Sequence, residues 1–350
     1  MQRKQILPVN GVKKAILFLC LAMVSFFCAT GCFSLPRSET QCERAAIVFG
    51  TTARLSAKGD KAEAAVAACM ERLDTLDRLF DADAADMPLA KLRDAAGSEV
   101  WVALPPEIWH VLSVSQKYSE LTDGAWDVTI APLSALWRKA IADGAPPAES
   151  DIAAARQNIG WRKLELRATD QSARLTDAGM ALDLGGVRKG FALDECRRIY
   201  EAHHVTGLID LGESSIAAVG GKNDGAPFRI ALRHPREPAP TSLGVLWMKN
   251  AALSSSGDYE HFFLHNGVRY HHILDPRTGF PVQNGVTAVF VRIAADEADA
   301  GIISDILSTA LFAAGPEQGL ALLSALPAHA EAAFANETEL FARTIGFDTK

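Results

Sequence analysis

Four segments of the chain hold residues whose types and spacing suit chemistry. In Ser304-Asp-Ile-Leu-Ser-Thr-Ala310, a helix sets Asp305, Ser308 and Thr309 at i, i+3 and i+4 on one face. A carboxylate with two hydroxyls gives hard oxygen ligands of the kind Mg2+ takes beside water and phosphate. The plain alternative is helix capping by Asp305 with two satisfied hydroxyls. Asp299 has only Ile302 and Ile303 at the same spacing, which cannot ligate. In Tyr270-His-His-Ile-Leu-Asp-Pro-Arg-Thr-Gly-Phe-Pro281, an extended stretch sends His271 and His272 to opposite faces ahead of a turn at Asp275 to Gly279. One histidine could serve as a general base at a rigid strand end while the other is buried, and residue type does not choose between them.

The third segment, Ala181-Leu-Asp-Leu-Gly-Gly-Val-Arg-Lys-Gly-Phe-Ala-Leu-Asp194, reads as a strand ending at Asp183, a Gly-Gly turn and a helix start. Backbone N–H groups at such a junction suit phosphate oxygens, and Lys189 adds charge. It is neither GxxxxGK[ST] nor GxGxxG, and a purely structural turn is the alternative. In the fourth, Thr122-Asp-Gly-Ala-Trp-Asp-Val-Thr-Ile-Ala-Pro-Leu133, Trp126 and Asp127 could offer a ring and an acceptor to a planar ligand, or Trp126 could be core.

These segments need elements to hold them. Val66, Cys69, Leu73, Leu76 and Phe80 recur at helical spacing across 61–80, and Pro105-Pro106 opens a second helix running to Leu121. An Asp- and Ala-rich loop and a short strand at 100–104 lie between them. Residues 47–55 read as one strand through Gly50. Alternation marks strands from Leu164 to Leu184 with two turns, then at 207–211, 216–219, 228–232, 243–248, 270–274 and 286–293. Helices are expected at 302–314 and 316–325, followed by short strands near 332–335 and 340–344. The class is α+β: one mixed-sheet domain with flanking helices over 46–345.

The chain has 350 residues, 49% hydrophobic and 22% charged, with a net charge of −7. This excludes a disordered chain and a disulfide miniprotein, and argues against non-specific binding to nucleic acid. Residues 1–31 hold Arg3, Lys4, Lys13 and Lys14, no acid, and an apolar run ending Ala29-Thr30-Gly31-Cys32. That pattern is a signal peptide of lipoprotein type, with lipidation at Cys32, a tether over 32–45 and a mature domain near −11 once four cations leave. A cleaved soluble protein and an uncleaved anchor are the alternatives. Cys42, Cys69 and Cys196 then remain without metal-site spacing; Cys69 and Cys196 fall in helices as core residues.

In order, DGAWDVTIAPL, DLGGVRKG, LIDLGESSIAAVG, SSSGDYEHFF, HHILDPRTGFPV and SDILSTALFAAGPEQG resemble the ApbE family across about residues 49 to 319. The resemblance implies an ApbE-like (T-fold-like) architecture and a FAD:protein FMN transferase. Such an enzyme takes FAD as substrate with Mg2+, moves FMN to a Thr or Ser hydroxyl of an acceptor protein, and releases AMP. By similarity His272 is the base. Gly186 (through its carbonyl), Asp305 and Thr309 hold the metal with Ser308 nearby. Phe49, Ala125, Trp126, Asp127, Asp183, Lys189 and Leu274 contact FAD. It also implies a lipid-anchored protein of the bacterial cell envelope, facing the periplasm or exterior.

Trp126 stands where the family has Phe, and Arg188 where it has Ala. More consequential is 80–92, where Asp83 and Met87 replace an aromatic and a Ser, and Phe80 continues the apolar stripe of its helix. A Mg2+-dependent FAD pyrophosphatase giving FMN and AMP differs only in what attacks. A non-catalytic flavin-binding lipoprotein would have little use for His272 beside Asp305 and Thr309.

Overall fold

The computed structural model describes residues 40–222, 225–326 and 328–349. The leader, Cys32 and the first part of the tether lie outside the described residues.

Strands β1 (Gln41–Val48) and β2 (Thr51–Lys58) pair antiparallel. Phe49 and Gly50 between them take φ of 54° and 74°. Two left-handed residues reverse the chain, so the single strand expected over 47–55 is a hairpin. β1 also draws residues 41–45 out of the expected tether, with Cys42 opposite Ala57. Helix α1 (Ala62–Leu79) buries Val66, Cys69, Leu73 and Leu76 in the stripe read from sequence.

Helix α2 (Pro88–Asp94) occupies part of the expected Asp- and Ala-rich loop, with Pro at its start and Leu89 and Leu92 buried. β3 (Val102–Ala103) and α3 (Pro106–Leu121) follow. Helices α4 (Ala131–Asp143) and α5 (Glu149–Gln157) were not anticipated; their turns bury Leu133, Trp137 and Ile152 beside Leu274 and Phe263.

β4 (Leu164–Arg167) and β5 (Ser172–Leu175) form a small sheet with β3. The expected strand ending at Asp183 is absent: Ala181 makes one bridge to Ile130, and Asp183 N–H donates to Val128 O at 2.8 Å.

Then come α6 (Arg188–His203), β6 (Thr206–Leu211), β7 (Ser215–Val219), β8 (Phe228–Arg233), β9 (Ser242–Met248), β10 (Ala251–Gly257), β11 (Phe262–His265), β12 (Val268–His271) and β13 (Ala288–Ala294). Helix α7 (Ala300–Ala325), β14 (Ala330–Ala335) and β15 (Leu340–Arg343) complete the order. The strand expected over 270–274 stops at His271, and Leu274 bridges to Pro281.

The main sheet has the order β1-β2-β6-β7-β10-β13-β14-β15, and every neighbouring pair is antiparallel. Helices α1, α6 and α7 cover one face, and the β8–β9 hairpin with Phe347 covers the other. The two-residue period of β10 and β13 decides what each layer meets. Ala252, Val289 and Val291 enter the helical core, while Ala251, Leu253 and Phe290 enter the hairpin core. On β10 the same period turns Ser254 and Ser256 toward α7, where they bond Ser304 and Ser308 at 2.8 and 2.9 Å. Helix α7 breaks at Gly315, φ 77°, just before Pro316, as the two separate helical readings required.

Candidate functional site

Helices α6 and α7 cross at Gly190 and Gly301. A side-chain carbon on Gly190 would lie 2.3 Å from Gly301 O, and one on Gly301 would lie 2.2 Å from Gly190 O. Only glycine at both positions lets the backbones touch. The contact brings Asp305 on α7 to the first turn of α6, where Gly190 N–H donates to its Oδ2 at 2.8 Å. Ser215 Oγ donates to Oδ1 at 3.1 Å from β7.

Asp305 is buried, and burial holds its carboxyl above the usual range, opposed chiefly by Lys189. It has no ion-pair partner among the described residues. Helix capping and ligation, the two readings of Asp305, are therefore not exclusive: it caps a neighbouring helix and still carries free lone pairs.

Thr309 lies one turn further along α7, and Ser256 Oγ bonds its hydroxyl at 3.1 Å. A side-chain carbon on Gly186 would stand 3.5 Å from Thr309 Oγ1, so the Gly-Gly turn and α7 meet. Ser308, 1% exposed, donates to Asp305 O at 2.9 Å and also bonds Ser256. Its hydroxyl serves the helix and sheet. A buried carboxylate without a cation, a hydroxyl and a nearby backbone turn form an all-oxygen set that fits a hard divalent ion completed by water and phosphate.

His271 and His272 diverge as alternation requires. The His271 ring is buried against Phe312 and shares a hydrogen bond of 2.8 Å with Val282 O. His272 is solvent-exposed, its N–H donating to His261 O at 3.0 Å and its ring edge-on to that of His261 at 5.5 Å. Burial by surrounding protein, then the charges of His271, His261 and Lys189, push its pKa down to about 4. The imidazole is thereby neutral at neutral pH. Lys189, which bonds Ser214 Oγ, thus acts on His272 and Asp305 alike.

Trp126 packs against Gly186, and its buried indole N–H has no partner among the described residues. Ala125 is buried beside it. Asp127 accepts from Thr129 N–H and Oγ1 at 2.8 and 2.6 Å and from Trp161 N–H at 2.9 Å. Its carboxylate therefore ties two loops together. Asp183 accepts from Gly185 N–H at 2.9 Å and shapes the turn.

Phe49 is held by Asp77, which accepts its N–H at 3.0 Å, and lies under the Arg188 guanidinium at 5.1 Å. Arg188, read as reaching phosphate or only solvent, thus packs on Phe49. Leu274 belongs to a small core with Trp137 and Phe263. Phe80 is core, edge-on to Phe191 at 5.8 Å, and Asp83 is exposed. A groove of about 470 Å3, lined by Val268, Tyr270, Asp275, Phe280, Gln283 and Ala313, opens beside β12.

Sequence reasoning missed Ser215, Ser256 and Asp194 as parts of this assembly. The serine run of β10 carried the signal, since hydroxyls at alternate strand positions need partners on the covering layer.

The model of the ApbE family matches residues 49–334. Two curated relatives, both named FAD:protein FMN transferase, come from Treponema pallidum (strain Nichols) and Klebsiella pneumoniae (strain 342). The first is 30% identical over 323 residues, covering 87% of each chain. The second is 31% identical over 263 residues, covering 75% of this chain and 79% of its own. Among solved structures, the ApbE protein from Thermotoga maritima superposes with a TM-score of 0.74 at 26% identity, over 86% of this chain and 97% of that one. The apo Pseudomonas stutzeri flavinyl transferase ApbE gives 0.72 at 26%, over 87% and 94%. Since the matched span runs from the Phe49 turn through Gly186, His272 and α7, every element that builds the site falls inside it, and the chain belongs to the ApbE family.

Proposed function

We propose that the protein is a FAD:protein FMN transferase that moves FMN from FAD to a Thr or Ser hydroxyl of an acceptor protein and releases AMP. The observation carrying this reading is buried Asp305 with Thr309 one turn along α7 against the Gly186 turn, and Lys189 of the adjoining α6 start acts on both Asp305 and His272. Base, cation-binding face and phosphate-facing charge therefore share one site. The relatives' names support the same reaction.

In the transfer, the acceptor oxygen bonds to the FMN phosphorus as the phosphorus–oxygen bond to AMP breaks. His272, neutral at neutral pH, takes the hydroxyl proton. Lys189 and the Gly186 N–H at the start of α6 meet the diphosphate charge, while Asp183 holds the turn through the Gly185 N–H. Trp126 supports the turn, and its unpartnered indole N–H suits a polar ligand. Asp305, Thr309 and the Gly186 carbonyl would hold Mg2+, which would supply further positive charge to the diphosphate.

Exposure of His272 admits water as readily as a protein hydroxyl. That supports a second reading, hydrolysis of FAD to FMN and AMP. Incubating the protein with FAD, MgCl2 and a candidate acceptor domain separates the two. Flavin fluorescence on the denatured acceptor, lost in His272→Ala and Asp305→Ala, supports transfer. Free FMN without label supports hydrolysis, and neither product overturns both. The leader and Cys32 support a lipid-anchored place in the bacterial cell envelope, facing the periplasm or exterior. Mass spectrometry of the mature N-terminus tests this, since diacylated Cys32 is expected and an unmodified one refutes it.

A further inference from the structure

We propose that Asp194 is the positioning residue for the cation-binding face of α7; this rests on the Mg2+ reading above. The helix begins without a cap of its own. Asp299 occupies the N-cap position yet makes no capping bond, because its carboxylate turns away to His110 at 2.9 Å and to Arg198. The cap comes from α6 instead. Asp194, 1% exposed, accepts Gly301 N–H on Oδ1 and Ile302 N–H on Oδ2, both at 3.0 Å. These are the N–H groups an N-cap side chain ordinarily satisfies.

The arrangement is reciprocal. Val187, at the N-cap of α6, has no polar side chain to offer, and Asp305 of α7 accepts Gly190 N–H in its place. Each helix is thus capped by a carboxylate of the other, around a crossing where two glycines touch. Backbone meeting backbone there supplies no side-chain ridge to fix how far one helix slides along the other. The two carboxylates fix it. Arg197 reinforces the joint, reaching Ala298 O at 3.2 Å and lying 3.7 Å from Asp194. Asp305 and Thr309 lie three and seven residues beyond Ile302, so a shift at the capped end carries directly to both ligands. Asp194 touches neither substrate nor metal in this scheme and acts only through α7.

Mn2+ binding to the full chain, followed by electron paramagnetic resonance without flavin, tests the assignment in Asp194→Asn and Asp194→Glu. Loss of an outer-shell support costs roughly 10–100-fold in metal affinity. Asp194→Asn is expected to weaken Mn2+ binding by that range and to lower kcat for transfer. Raised Mg2+ should restore kcat, and KM for FAD at saturating metal should stay unchanged. Asp194→Glu, which keeps the charge, should recover part of the loss. A variant that melts earlier but binds Mn2+ with wild-type affinity and keeps wild-type kcat overturns the proposal, since capping would then serve stability alone. If the wild-type chain itself binds no Mn2+, the metal reading fails separately. Asp194 is then judged on kcat: a fall at constant KM supports positioning, and no change overturns it.

Discussion

The indole of Trp126 rests on the α-carbon of Gly186, where a side-chain carbon would meet ring carbons at 3.0 and 3.1 Å and Thr309 Oγ1 at 3.5 Å. The ring is itself buried. Gly186→Ala is therefore expected to cost about 1–3 kcal/mol through overpacking. It should also push the turn away from α7, lowering transfer at least tenfold. Thermal unfolding and a Mg2+ titration of activity check both effects; a variant with wild-type melting and activity would show that the contact has slack.

His271 and His272 separate fold from chemistry. His271→Ala leaves Val282 O buried without its partner, a loss of about 1–3 kcal/mol. The folded fraction should nevertheless keep its transfer rate. His272→Ala removes an exposed ring, so melting should move little while transfer falls about 10^2–10^4-fold. Urea unfolding beside single-turnover rates distinguishes them, and the opposite pattern would exchange their roles.

The depressed pKa of His272 sets the pH behaviour. Its imidazole stays neutral below the ordinary value of 6.5, toward about 4, so the acid limb of kcat/KM should fall below pH 6.5. Between those values the unfolded chain binds this proton and the native chain does not, so this contribution to stability falls as pH drops through the window. Asp194, raised by burial to about 6, acts oppositely. The native state holds its proton between about 3.8 and 6, and that contribution is lost as pH rises through 6. His272→Ala should flatten the acid-side loss of stability in urea titrations at pH 4.5 and 7, and an unchanged slope would remove His272 from it.

Much of this site was legible because its signals are local. The i, i+3, i+4 spacing of Asp305, Ser308 and Thr309 needs only a helix, and the opposite faces of His271 and His272 need only an extended backbone. What stayed hidden depends on contacts between distant segments. Ser308 and Thr309 share one helix face, but only the fold shows that β10 lies across it, where Ser256 bonds both hydroxyls. Asp127 looked available to a ligand until Trp161, thirty-four residues on, took its second oxygen. Asp194 closed a recognised segment with no task, since its partners lie more than a hundred residues away. The fold followed the same division. The amphipathic α1 stripe was readable, whereas α4 and α5 pack into a small satellite core and the Phe49-Gly50 reversal hides in a continuous apolar run.

The loop after α1 offers the last test. Phe80 is committed to the core against Phe191, so it does not supply the ring expected of the family in this loop. Asp83 is exposed, and its carboxylate makes no hydrogen bond or ion pair among the described residues, so the position accepts a large side chain without loss of a native contact. An aromatic pair contributes about 0.5–1.5 kcal/mol beyond area burial, equivalent to roughly 2–10-fold in affinity. Asp83→Tyr should therefore tighten FAD binding by that factor in fluorescence titrations while leaving thermal unfolding unchanged. A dissociation constant equal to that of the wild type would place the nucleotide out of reach of this loop.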